Sequence, residues 1–292
     1  MDALGFALLA AAIIGVGEFS AHFGLRQVKP LTGVCLATGY AIPALLTVLI
    51  FRGRWDVGAW QGLALFMLVG ILHPGGYFYG LFNAIQRIGP SRAITIRATS
   101  PLFTVFFAVG FLGERPTFHV YLGIILLVGG VMFLSLGGEK FKANRTGWYF
   151  GLLASFFSGL APTVTKGALL YWDDPILGVF FAILSGLIFI VVLNSFLERN
   201  HKDGLWFKSI PHKAYFFFIP TVILTGAAYS AWFFALSLGP VSTVIPIVQM
   251  SPLFAILMAR IFLQKEERVD TRLIISALVI IGGATLIAMG RA

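Results

Sequence analysis

The chain repeats itself. Residues 100–137 read SPLFTVFFAVGFLGERPTFHVYLGIILLVGGVMFLSLG, and the same succession returns at 251–290. Ser100-Pro101-Leu102-Phe103 matches Ser251-Pro252-Leu253-Phe254, and Phe111-Leu112 matches Phe262-Leu263. Glu114-Arg115 matches Glu267-Arg268, and Gly129-Gly130 matches Gly282-Gly283. About half the chain separates the two copies, so the repeated unit is half a protein and not a local motif.

Each copy consists of two long apolar runs divided by a short charged break, which is the pattern of membrane helices. Composition agrees: 58% of the residues are hydrophobic and only 11% charged, where a soluble domain carries about a quarter charged residues. A spanning helix takes about 20 residues. Breaking the sequence at charges, Gly-Pro pairs and polar clusters gives ten spans, at 4–25, 31–51, 59–86, 91–112, 118–137, 147–170, 176–197, 214–237, 241–263 and 272–290. The expected fold is an all-α integral membrane protein of ten transmembrane helices, with one five-helix repeat over 1–137 and a second over 147–290. Loops are short, the longest being 198–213, so neighbouring helices must pack antiparallel and no soluble domain fits between them. The start, MDALGFALLAAAIIG, lacks the basic region of a secretory leader, so the first apolar run is expected to remain as a helix.

Five spans per repeat is an odd number. The second repeat must therefore enter the membrane from the opposite face, and duplication becomes inversion. Inverted repeats related by an in-plane twofold are a recurrent build of secondary transporters, with the substrate near the midplane where the repeats meet. The first spans align more loosely, with ALLAAAIIGV at 7–16 on GLLASFFSGL at 151–160, which sets His22 opposite Lys166. In the third and eighth spans Phe82 and Ala84 fall on Phe233 and Ala235, and the aromatic Tyr77-Phe78-Tyr79 faces the region of Tyr229 and Trp232. Glycines four apart, at Gly58/Gly62, Gly76/Gly80 and Gly147/Gly151, permit close helix approach in lipid.

A net charge of +9 could suit a nucleic acid, but the basic residues stand singly at the ends of apolar runs and form no stripe. The expected partners are membrane lipid and a small-molecule substrate, with no nucleic acid, the carrier being a monomer or a homodimer. One cysteine, Cys35, excludes an internal disulfide and argues against a thiol-ligated metal. No cofactor and no metal are expected.

Charges deep in a span cost about 2.5–3.5 kcal/mol each on insertion scales, so each calls for a partner or a task. Glu18 and His22 lie one turn apart in the first span and share a face; Arg97 lies in the fourth span and Lys166 in the sixth. Pro101 cannot donate to the Arg97 carbonyl one turn earlier. In the second repeat Pro252 and Pro246 similarly free the carbonyls of Val248 and Ser242, with Gln249 beside them. Broken backbone in a membrane is tolerated where protein or an aqueous cavity satisfies it, so the two Ser-Pro helices are the expected cavity walls. Arg97 or Lys166 would attract a carboxylate or phosphate, Glu18 an amine or a proton, and Tyr79, Tyr229 and Trp232 would pack the body of the substrate, with His22 and Gln249 as further polar contacts. The alternative is a structural salt bridge, such as Glu18 with Arg97 or Lys166. His73, in HPGGYFY where a helix should loosen, joins Glu18 as a candidate for proton coupling. The Glu-Arg pairs at 114–115 and 267–268 read as solvated helix ends, with a gate as the other reading.

Helix, break and helix in the pattern SP-L-F…FLGER…GG, present in both halves, resembles the C-terminal part of each repeat in the EamA family of the drug/metabolite transporter superfamily. That resemblance implies an inner-membrane, multi-pass carrier of a small polar metabolite, an amino acid or related zwitterion, working by alternating access and exporting it. Other branches of the superfamily exchange nucleotide sugars or phosphorylated compounds, which leaves an organic-anion or sugar-phosphate exchanger as the second reading. A membrane scaffold or enzyme without transport is the third. No Walker motif, H-E-x-x-H or G-x-S-x-G occurs, so neither ATP drive nor hydrolysis is expected.

Orientation divides residues from resemblance. The loops at 26–30, 87–92, 138–146, 198–213 and 260–272 carry 15 Lys and Arg residues, while the opposite side carries Arg52, Arg54, Arg115 and Arg291. Positive residues in short loops stay cytoplasmic, which puts both termini outside. Ten-span relatives are described with both termini in the cytoplasm.

Overall fold

A computed structural model describes residues 2–25, 28, 30–53, 58–88, 93, 96–135, 145–197, 212–262 and 271–290. Among them are twelve helices and no strand: α1 (Ala3–Leu25), α2 (Pro30–Arg52), α3 (Trp60–Gly70), α4 (Tyr77–Ile88), α5 (Ser100–Leu112), α6 (Phe118–Ser135), α7 (Arg145–Tyr171), α8 (Pro175–Leu197), α9 (His212–Leu238), α10 (Val241–Val248), α11 (Ser251–Phe262) and α12 (Thr271–Met289). A wide π turn at Ile71–Gly76 joins α3 to α4, and a two-residue turn joins α10 to α11. The helices thus form ten spans, five in each repeat.

The repeats are interlocked, as the pattern of helix contacts shows. α1 packs on α9 and on α10–α11, and its mate α7 packs in return on α3–α4 and on α5. α2 packs on α9 as its mate α8 packs on α3. The pairs α2 with α8 and α6 with α12 each join an element to its own mate, and α5 meets α10 where the two fourth spans come together. Span by span, these contacts map onto one another or onto themselves when the repeats are exchanged, as a twofold relation requires, and five spans per repeat make that relation an inversion.

With lipid outside as apolar as the side chains, close packing and hydrogen bonds hold such a bundle. At the α6–α12 crossing, a Cβ on Gly123 would come within 2.5 Å of the Gly283 carbonyl, and one on Gly283 within 2.6 Å of the Gly123 carbonyl. Only backbone can lie so close. One glycine of each doubled pair is used, since Gly130 meets Ile280 while Gly129 and Gly282 have nothing within 4 Å. The glycines four apart also sit at contacts: Gly76 and Gly80 against Phe157 and Phe150 of α7, Gly147 and Gly151 against Ile88 and Ile96, and Gly58 and Gly62 against Trp172. Hydroxyls tie helices together, Ser185 donating to the Met67 carbonyl at 2.8 Å and Ser155 to the Ile96 carbonyl at 2.7 Å. Cys35 is buried beside Val34 and Ile190.

Candidate functional site

The third spans of the two repeats meet through His73 and Tyr229, and the fourth spans through Ser100 and Gln249. Both fourth spans are broken in the same way. In the first repeat Thr99 N donates to Ile96 O at 3.0 Å and Leu102 N to Thr99 O at 3.0 Å; in the second, Met250 N donates to Ile247 O at 3.0 Å and Leu253 N to Met250 O at 2.9 Å. These tightened steps fall in register with Ser100-Pro101 and Ser251-Pro252. The prolines sit in the first turn after each break, where a missing N–H costs nothing. Pro246 lies inside α10, which runs on through it. The breaks touch: the Gln249 amide donates to the Ser100 hydroxyl at 2.7 Å across the repeat boundary.

The third span bends where its sequence is HPGG. His73 leaves helical geometry (φ −146°, ψ 111°) because Pro74 removes a donor and crowds the preceding residue. Bending brings the His73 ring over Tyr77, with centroids 4.5 Å apart and planes 15° from parallel. On the other side α9 delivers Tyr229, whose hydroxyl lies 2.8 Å from His73 Nδ1, and Trp232, edge-on to His73 at 5.5 Å. Arg97 completes the cluster by donating to the Tyr77 hydroxyl at 2.9 Å. Trp232 Nε1 is buried and has no hydrogen-bond partner among the described residues. The cluster therefore combines a guanidinium, an indole N–H, two phenols and an imidazole, donors in excess of acceptors. Four of its members come from both repeats' third spans, and all lie where those spans cross.

His73, Arg97, Tyr229 and Trp232 are thus brought together, with Gln249 one contact away at Ser100. Other candidates lie elsewhere. Tyr79 faces α7, edge-on to Phe150 at 5.8 Å. Lys166 donates to the carbonyls of Leu236, Ser237 and Gly239 at 2.6, 3.3 and 3.2 Å, where a cation complements the α9 C-terminus. Glu18 and His22 lie on α1, and their side chains fall outside the described residues, as do Pro252's ring, Glu267 and Arg268. Glu114 is not a solvated helix end: its carboxylate accepts from Val241 N at 2.7 Å and Ser242 N at 2.9 Å. Tyr77 is the cluster member that sequence reasoning did not single out; its signal was the four-residue spacing from His73, which stacks side chains on one face. Among the described residues no three His, Cys, Asp or Glu side chains gather as metal ligands.

The family model described as the EamA-like transporter family matches residues 2–136 and again 145–289. The chain belongs to that family. EamA-like proteins are multi-pass membrane transporters, and each match takes in one repeat with its broken fourth span. Among curated proteins, this EamA-like chain is 30% identical over 135 residues to phosphoenolpyruvate/phosphate translocator 1, chloroplastic, of Oryza sativa subsp. japonica, covering 46% of the chain and 30% of the relative. It is 26% identical over 150 residues to the protein of the same name from Arabidopsis thaliana, covering 51% and 36%. The uncharacterized transporter YcbK of Bacillus subtilis is 32% identical over 84 residues, covering 28% and 25%. The chain thus spans about a third of the length of the curated relatives it matches. A solved crystal structure superposes with a TM-score of 0.77 over 99% of the chain and 96% of its own, at 16% identity, and so shares the fold.

Proposed function

We propose that this EamA-like transporter moves a small metabolite bearing a carboxylate or phosphate by alternating access to the cluster between its repeats. The observation that carries the reading is one cluster that holds both a cation, Arg97, which donates to the Tyr77 hydroxyl, and the buried indole N–H of Trp232, which has no hydrogen-bond partner among the described residues. A buried unpaired donor costs about 1–3 kcal/mol, a penalty that an anionic substrate would relieve in the bound state. Arginine offers a flat pair of donors matched to either oxyanion, and the stacked His73 and Tyr77 rings would flank a compact organic body. Similarity to phosphoenolpyruvate/phosphate translocators points the same way.

Counterflow into liposomes holding the purified protein tests this. Phosphoenolpyruvate, inorganic phosphate, short dicarboxylates and amino acids would be offered in turn, with uptake of label expected for one or more of the anions. Counterflow with amino acids alone would transfer the reading to zwitterions, and none with any compound would remove it. Arg97→Ala is expected to abolish uptake while leaving folded protein in the membrane, and Arg97→Lys to restore it only in part. Orientation follows the Lys and Arg imbalance in this proposal, with both termini on the outer face of the cell membrane; a reporter active only in the cytoplasm should stay silent at Ala292 and work when inserted at 138–146.

A further inference from the structure

The end of the bundle that carries both chain termini is laced from one repeat to the other. Arg52 meets Asp174 at 2.6 Å, and the Thr117 hydroxyl donates to the Gly290 carbonyl at 3.0 Å. Glu114 makes the third tie. Its position is set by Gly113, whose left-handed φ of 65° ends α5 and turns the chain. A side chain at 113 would be strained there. The carboxylate then spans the first two N–H groups of α10, where the cap residue is Pro240 and no local side chain serves. Negative charge at that position is favoured by the helix dipole.

α10 is a short unit with a joint at each end. It is eight residues long, buried along its whole length, and bounded by Gly239-Pro240 at one end and the Gln249–Met250 turn at the other. Lys166 secures the α9 side of the outer joint from within the second repeat, whereas Glu114 holds the α10 side from the first. A carrier that opens its two ends in turn must release cross-repeat contacts at one end while keeping each repeat intact. We propose that Glu114 is the positioning residue that holds α10 across the termini end of the pathway, and that opening of that end requires its carboxylate to leave the Val241 and Ser242 N–H groups. The inference depends on the transporter family and not on which substrate is carried.

Accessibility of α10 tests it. In the full-length protein with Cys35→Ala and Ser242→Cys, held in lipid nanodiscs that expose both faces, a membrane-impermeant maleimide reports how often the termini end opens, because Ser242 is 2% exposed in the closed arrangement. Glu114→Ala is expected to raise the labelling rate about tenfold, since it removes two charge-assisted hydrogen bonds. Glu114→Gln, which keeps one acceptor, should give a smaller rise, and it decides the matter if the alanine variant does not fold. Lys166→Met, which loosens the neighbouring joint inside one repeat, should lower the yield of folded protein without speeding labelling. Unchanged labelling in the Glu114 variants would overturn the proposal, as would an equal rise in Lys166→Met. A failure of anion counterflow would leave these outcomes untouched.

Discussion

The third span of the first repeat and its mate in the second have the same place in the fold and different shapes. α3–α4 is bent through the π turn at Ile71–Gly76, whereas α9 runs unbroken from His212 to Leu238. The positions that mate with His73-Pro74 are Leu224-Thr225, where no ring blocks the helix. The bend exposes a histidine and its stacked tyrosine to the interior; the straight helix presents Tyr229 and Trp232 at fixed spacing to meet them. Duplication thus supplies the frame, and the site arises where the copies have diverged.

The largest effect should follow from erasing that difference. Thr225→Pro would impose on α9 the break that α3–α4 already has, at a cost of about 3 kcal/mol for a proline in a helix interior, and folded protein recovered in detergent should fall sharply. An intermediate effect is expected for Trp232→Phe, which keeps the ring and removes the partnerless N–H. Loss of one hydrogen bond to a charged substrate is worth about 1.5–3 kcal/mol, so KM in the liposome assay should rise about tenfold or more with expression unchanged. An unaltered KM would detach Trp232 from the substrate and leave the straight helix a packing role. The smallest effect separates two adjacent glycines on α6: Gly130→Ala should lower thermal stability by about 1–3 kcal/mol through overpacking against Ile280, whereas Gly129→Ala, facing open space, should be neutral.

The frame was legible because membrane helices are declared by length and apolarity, and because the Ser-Pro and Gly-Gly marks recur at matching intervals. Span ends fell within a few residues of the observed helices at α1, α2 and α8. The doubled glycines announced a close contact but could not say which of each pair faces inward, since that depends on helix rotation. Arg97 and His73 stood out as polar groups in apolar surroundings. Lys166 stood out for the same reason, yet its task is to satisfy three carbonyls at the α9 end, and nothing in its own span reveals that distant joint. Glu114 was misjudged in the opposite direction: a charge in a short loop looks solvated until the fold brings the N-terminus of α10 over it. Tyr77 and Tyr79 are nearly indistinguishable in sequence, and the π turn decides between them by setting which one follows His73 around the helix.

The interlocking of the repeats bears on how the protein is made. α1 leaves the ribosome well before its principal neighbours, α9, α10 and α11. Until they arrive it must wait in the bilayer with its interior face turned to lipid or to provisional neighbours. Completion is therefore gated by the C-terminal half: a ribosome stalled before α9 holds α2–α5, α7 and α8 able to join one another, while α1 and α6 still lack the helices they pack on most.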